Sequence, residues 1–575
     1  MLLSGGRSAY ADLPEAGASI TTFLEIERLI RSWDAGPDVT ITEPDGVEGA
    51  CITLRLAGRV IGRGSVMSNT GDAVTRAFQE AWREANERVE VDRDALQEQR
   101  IAARAGRVII DLQLAGTPQP VLGDTFAAAA QRTAPGIHGV AIGIGPRLEG
   151  VFPGTQLATG ALPDQAMRIA AAKLDLPPLE LNEIRTRYQA IPYVFPVRHL
   201  AQIEPQQQPM FLYRGGAVVP LAETNGPSLR DAARTIATHL QAARWTGPQP
   251  FGLRGDQNLA TGRYEEPIAP PRAQALAAFA LARFAGTPGI GEDHRAEALI
   301  VAAELLRLMT IVEEDEVDPL TDPAACAAWL IASTELAPIA EPGQALEQSA
   351  FAEASQRRLV ETVADAESRD ALAPGARAMI ALALVRRAPF DASLRDHAVS
   401  LTRDLRIRTP AAQMPTLMPW LGWTELALAE GGDLPSEIAL RDMRDLVWQY
   451  QIGDPDPAAR GHDLAGGIVF TNAPDALPTW QCLRPMTFVA SMLGDARLTT
   501  ADELAAELGR LRLSLRYVLQ LSVREAESHM MAHPRRSLGG VRRAVWDQIV
   551  SIDACSLALL TLCETLRAVE SRAGG

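Results

Sequence analysis

Lysine is almost absent from this chain: Lys173 is the only one among 575 residues, and every other basic residue apart from histidine is arginine. The absence excludes chemistry. There is no P-loop lysine to reach a nucleotide phosphate, and a Schiff base would have to use Lys173, which sits in an ordinary amphipathic stretch. Phosphate or carboxylate recognition falls to arginine, whose planar fork suits bidentate pairing. Positive charge is scarce overall. The net charge of −16 argues against nucleic acid or an anionic membrane surface as partner. Five scattered cysteines (Cys51, Cys326, Cys482, Cys555, Cys563) include no C-x-x-C and suggest no disulfide framework, so they read as small buried thiols. No apolar run reaches the length of a membrane span. The first residues, "MLLSGGRSAYADLPEAG", lack the basic and apolar regions of a signal peptide. Cytoplasmic residence is the expectation, although a trimmed secreted chain would read the same.

The familiar catalytic fingerprints are missing too. G-x-S-x-G, H-E-x-x-H, G-x-x-x-x-G-K, the dinucleotide glycine motif and an aspartate-rich D-x-D-D do not occur, so no cofactor is expected. Glu525, His529 and His533 fall at i, i+4 and i+8. One helical face would carry all three, a pattern that can chelate zinc. A helix here should fray before Pro534, and no metal is assigned.

What is present divides into two grammars. Residues 1–225 mix strands and helices, with a core at about 50–200. "ACITLRLAGRVIGRGS" alternates and turns at Gly58 as a hairpin, and "RVIIDLQL" is a β-branched buried strand. Residues 226–575 read as about twelve helices joined by short Pro/Gly breaks, the last two spanning about 500–523 and 545–571. Many are apolar nearly all round, as in "AQALAAFALARFAG" and "CSLALLTLCETL", and such helices are buried on both faces. The expected fold is therefore multidomain: an α+β N-terminal domain followed by an all-α domain, an α/α toroid with two concentric layers. "RWTGPQPFGLRGDQN" around Trp245 reads as a linker, although the helix at 227–244 would serve as a toroid helix.

Three segments of the first part, in order, resemble the AMMECR-type α+β family. They are "ITLRLAGRVIGRGS", "VIIDLQLAGTPQPV" and "GIHGVAIGIGPRLEGVFPGTQLATGALPDQAMRIAAAKLDLPP". The resemblance spans about Ala50–Pro178 and carries over Gly62, His138, Gly139 and Pro153. The family's cysteine and arginine positions hold Val60 and Gly58, so the likeness implies fold more than activity. In the second part, "GLRGDQNLATGRYEEPIAPPRAQALAAFALARFAG" is similar to the segment before the first barrel helix of α/α-toroid, or six-hairpin, carbohydrate-active proteins. That resemblance implies Tyr264 and Glu265, beside Arg263, as mouth residues.

One stretch breaks the helical array: "GHDLAGGIVFTNAPDALPTWQCLRP", Gly461–Pro485. A long glycine-rich connection in a compact domain reads as a loop over the funnel mouth. His462, Trp480 and Arg484 are its candidate ligand-binding residues, with Trp480 to stack a sugar face and Arg484 to pair with a carboxylate. Acid/base work would come from a pair among Asp463, Asp547 and Asp553. Asp547 and Asp553 are placed at the start of the last apolar helix, where a buried Asp553 needs a partner such as Arg484, Arg542 or Arg543. Two functions fit: a carbohydrate-active enzyme (hydrolase, lyase or epimerase-like) working in the funnel, or a non-catalytic binding or scaffold protein that holds a glycan, peptide or other small polar ligand there. Aromatic content of 5% pulls toward the second.

Overall fold

The computed structural model describes residues 13–33, 39–68, 70–87, 93–131, 133–247, 252–311, 321–339, 346–429, 432–453, 462–471 and 476–574. The chain is multidomain, a sheet-containing part followed by a helical part.

The first part is built on an all-antiparallel sheet of β1 (Gly49–Leu56), β2 (Arg59–Met67), β3 (Val108–Ala115), β4 (Gln119–Pro120), β5 (His138–Ile144), β6 (Arg147–Val151), β7 (Ile191–Ala201) and β8 (Met210–Leu212). The order is β2-β1-β3-β7-β5-β6, with β4 and β8 also on β7. The long β7 is the spine: β3 pairs with its C-terminal half and β5 with its N-terminal half. The hairpin at Gly58 and the strand over "RVIIDLQL" form as the alternation predicts.

Helices cover the sheet in two groups with separate cores. α1 (Ala16–Ser32), α2 (Ala73–Glu87) and α3 (Arg93–Arg104) cover β1–β3 around Phe23, Ile52 and Phe78. α4 (Phe126–Ala130), α5 (Pro153–Thr159), α6 (Pro163–Lys173) and α7 (Leu181–Tyr188) belong to the other end, where Val140, Met167 and Ile184 are buried. The glycines and histidine singled out by the family resemblance have structural work here. A Cβ on Gly62 would lie 2.1 Å from the Ala81 carbonyl of α2, and one on Gly139 2.0 Å from the Phe195 ring. His138 is buried, and its Nδ1 accepts from Ala134 N at 3.2 Å.

The second part begins with α8 (Gly226–Ala242) and a short hairpin, β9 (Gln257–Asn258) and β10 (Arg263–Tyr264). Then come α9 (Pro271–Ala285), α10 (Glu292–Leu308), α11 (Pro323–Leu336), α12 (Ala350–Ala364), α13 (Ala366–Ala371), α14 (Pro374–Arg387) and α15 (Ser393–Arg408). They are followed by α16 (Trp420–Leu428), α17 (Glu437–Gln449), α18 (Leu483–Gly494), α19 (Ala501–Leu521), α20 (Glu525–Ser528), α21 (Pro534–Ser537), β11 (Arg542–Ala544), β12 (Asp547–Val550) and α22 (Ile552–Gly574). Packing runs from α9 to α11, to α14, to α16; α18 packs on α22, and α22 returns to α9. α16 meets α18 at Gly422, where a Cβ would lie 2.3 Å from the Phe488 ring. α8 packs on α22, α10 on α9, α12 on α11, α15 on α14 and α19 on α18. All five cysteines are buried. Among the described residues no helix is long and apolar enough to cross a membrane.

Two expectations change. The segment read as the start of the last helix is the β11–β12 hairpin, and α22 begins only at Ile552. The β-branched alternation of "VRRAVWDQIV" finds partners in β9, so Asp547 is a strand residue and not a first-turn helical acid. Nor does one helix carry Glu525, His529 and His533. α20 ends at Ser528, and His533 stands at the N-terminus of α21.

Candidate functional site

The seam between the two parts is entered by a tight turn. Tyr213 and Gly216 bridge, and Arg214 and Gly215 between them take φ of 49° and 74°, the left-handed pair that a primed hairpin turn requires. Arg214 is thereby pushed into the helical part. Its Nη1 donates to Asp463 Oδ1 and its Nε to the Pro135 carbonyl at 2.8 Å. Asp463 is fully buried, and its Oδ2 has no hydrogen-bond partner. The sequence marked Asp463 as a proton-transfer group; the structure places it in a sequestered ion pair across the seam.

The segment around Asp463 is held to α19. Arg516 donates to the carbonyls of His462 (2.8 Å), Ala465 (3.1 Å) and Val219 (2.6 Å). Gly466, at φ 89°, lets the backbone approach so closely that a Cβ would lie 1.8 Å from the Leu513 carbonyl. His462 is half-buried, and its Nδ1 has no hydrogen-bond partner. Gly461 and residues 472–475 of this stretch lie outside the described residues.

Beside this buried contact lies a cavity of about 500 Å³ that both parts line. Trp480, Gln481, Arg543, Trp546 and Asp547 face it from the helical part, and Gln165 from the sheet part. Asp547 accepts from Ile549 N at 3.0 Å. Burial pushes its carboxyl above the usual aspartate value, against the pull of the Ile549 N–H and Arg543; the nearby Glu265 charge pushes the same way as burial. Glu265 is exposed and receives Arg543 Nη2 at 2.5 Å, and Asp256 receives the same nitrogen at 2.7 Å.

The remaining candidates sit close by but serve other contacts. The Arg484 guanidinium lies 5.6 Å from the Trp480 ring. Burial lowers its pKa, Asp553 opposes that shift and Arg272 adds to it. Asp553 takes Arg272 Nη2 at 2.6 Å, while its Oδ1 has no hydrogen-bond partner. Tyr264 lines a different cavity, of about 410 Å³, with the Arg254 guanidinium 5.3 Å from its ring. Trp480 and Asp547 thus share a cavity, whereas Asp463 and Asp553 are each engaged by an arginine elsewhere.

Two constellations were missed. The first links six helices of the helical part. Arg283 donates to Glu564 (2.6 Å) and Glu335 (2.7 Å), and Arg386 to Glu335 (2.9 Å). Trp423 Nε1 donates to Ser491 (2.9 Å), which donates to Glu564 (2.8 Å). These six residues come from α9, α22, α11, α14, α16 and α18. Burial opposes ionisation of Glu335, but Arg283 and Arg386 hold its carboxyl down to about 2. Glu335 and Arg386 lie near the ends of apolar helices, a placement that reads as ordinary solvated charge.

The second is a buried group of Asp111 on β3, His199 on β7 and His529 after α20. His199 Nε2 and Asp111 Oδ1 are 2.9 Å apart, and Gln113 Nε2 donates to the same oxygen at 3.2 Å. His529 Nε2 lies 3.7 Å from Asp111 Oδ2. Burial pushes the Asp111 carboxyl up, but the two imidazoles outweigh it and hold the group well below the usual range. By donor type, these are residues that could hold a metal. The available signal was a charged residue interrupting each strand: "VIIDLQL" and "VRHLAQI".

No family model matches the chain, and no curated protein matches it. Among solved structures, an uncharacterized protein of Pyrococcus horikoshii, PH0010, aligns over 34% of this chain and 97% of its own length, at 14% identity and a TM-score of 0.26. A likeness at that level carries no argument about fold or function.

Proposed function

We propose that the chain is a binding protein that holds a glycan or a similar small polar ligand in the cavity at the seam. One observation carries this reading: two indoles, Trp480 and Trp546, share a cavity of about 500 Å³ with Asp547, Arg543, Gln481 and Gln165. Sugars present apolar C–H faces to aromatic rings and hydroxyls to planar polar side chains, and the volume falls in the range of small-ligand pockets. Asp547 supplies a carboxyl at the cavity wall for the ligand's hydroxyls. In this proposal the helical part is an α/α toroid. The return of α22 to α9 and the polar network drawn from six helices support it. The sheet part is an AMMECR-like domain seated over one end of that toroid.

The carbohydrate-active enzyme is the second reading, and the raised carboxyl of Asp547 favours it, because a proton donor to a leaving oxygen needs that shift. The arginine pairing of Asp463 and Asp553 weighs against it, since the second carboxylate of an acid/base pair must be free to work. A panel of immobilised glycans, probed with the native protein and with Trp480→Ala, tests the proposal. Saturable binding of at least one glycan class is expected, weakened tenfold or more by Trp480→Ala at an unchanged melting temperature. No binding, or equal binding by both, contradicts it. Cleavage of a bound glycan that Asp547→Asn abolishes would select the enzymatic reading.

A further inference from the structure

His529 sets the problem. It is 1% exposed, and its Nδ1 lies 3.0 Å from the Ala526 carbonyl. A carbonyl only accepts, so Nδ1 is the donor in that contact and Nε2 is the ring nitrogen that remains for another partner. This Nε2 has no hydrogen-bond partner. It faces the Asp111 carboxylate, 3.7 Å away, beyond direct hydrogen-bond reach. A cation seated between them would contact both groups.

We propose that Asp111, His199 and His529 bind one divalent transition-metal ion of the zinc class, shared between the two parts of the chain. Two imidazoles and one carboxylate are a donor set for such an ion. All three ligand atoms lie within 4.8 Å of one another. Metal bonds of about 2.1 Å at tetrahedral or octahedral angles put neighbouring ligand atoms roughly 3–3.4 Å apart, and the observed 2.9 and 3.7 Å bracket that range. The surroundings are those of a supported ligand set. The Ala526 carbonyl orients His529, and Gln113 bonds Asp111 while its own Oε1 accepts from Gly154 N at 2.8 Å; outer partners of this kind hold metal ligands in place. Arg55, buried nearby with its Nη1 3.4 Å from the carbonyls of Gly58 and Met530, offsets the charge of Asp111, the one carboxylate of the set. There are also ways in. His199 faces a cavity of about 340 Å³ on one side, and His529 one of about 1070 Å³ on the other.

The test is a titration of the full chain, stripped with a chelator, with Zn²⁺ by calorimetry and with Co²⁺ by visible absorption. The expected result is one site per chain, with a cobalt ligand-field spectrum. His529→Gln and His199→Gln should each weaken binding a hundredfold or more, whereas His533→Gln, a nearby histidine outside the set, should leave it unchanged. Absence of a one-to-one site in the native chain overturns the proposal, even where a variant fails to fold. So does undiminished binding by folded His529→Gln, or loss of the site in His533→Gln.

Discussion

The seam between the two parts holds two carboxylates that the sequence presented alike, and the structure treats them oppositely. Asp463 is fully buried and gripped by Arg214 from the other part. Asp547 stands at a cavity wall with a backbone N–H and a raised carboxyl. The first has no access to a ligand and a charge that must be balanced; the second has access and a carboxyl that burial raises. Asp463 lies in a short turn, His462–Leu464, and Asp547 opens β12. What separates them is a partner from a distant stretch of chain, which neither segment's own residues reveal.

The largest effect should come from breaking the buried side of that comparison. Arg214→Ala leaves Asp463 as an uncompensated buried charge, and the loss expected is about 3–5 kcal/mol. Replacing both residues with apolar ones of similar size should recover most of it. Chemical denaturation of the single and double variants checks this, and a double variant as unstable as the single would count against the ion pair as the cause.

The polar network inside the helical part gives the next effect, and it depends on pH. Because the Glu335 carboxyl is held at about 2 against an ordinary value of 4.5, its folded-state pKa is depressed. Its contribution to stability is therefore complete above about pH 4.5 and is lost as pH falls toward about 2. Glu335→Gln should cost about 2–3 kcal/mol at neutral pH, since Arg386 loses its carboxylate while Arg283 keeps Glu564. The gap between variant and native protein should narrow steadily in acid. A gap independent of pH would remove the charge from the explanation.

Arg484→Ala should have the smallest effect on stability, about 0.5 kcal/mol or less in either direction. The side chain stacks near Trp480, but a like charge, Arg272, already holds Asp553. A melting temperature within a degree or two of native, with altered binding of any ligand that reaches Trp480, is the expected pattern; a large drop would make Arg484 part of the scaffold.

Much of the fold was legible because its signals are local. The turn at Gly58, the β-branched strand at Val108–Ala115 and the Pro/Gly breaks between apolar helices each depend on a few adjacent residues. The β11–β12 hairpin was not, because its partner β9 lies nearly three hundred residues earlier and only pairing rescues "VRRAVWDQIV" from an extended helix reading. The site fared similarly. Trp480 and Asp547 stood out as an aromatic and an acid near breaks in the pattern. Asp111, His199 and His529 come from three segments whose spacing obeys no motif, so their convergence is a property of the sheet register and the seam. His529 was noticed for a helical spacing that the structure does not use.

The central claim, that the seam divides into a buried structural contact and a cavity open to ligand, is tested most directly by one pair of unfolding curves. Asp463→Asn and Asp547→Asn remove the same charge by the same chemistry. The account predicts that Asp463→Asn loses several kcal/mol, because Arg214 is stranded. Asp547→Asn should stay within about 1 kcal/mol of native or gain stability, because burial already disfavours its charged form. Equal losses, or a larger loss for Asp547→Asn, would contradict the account.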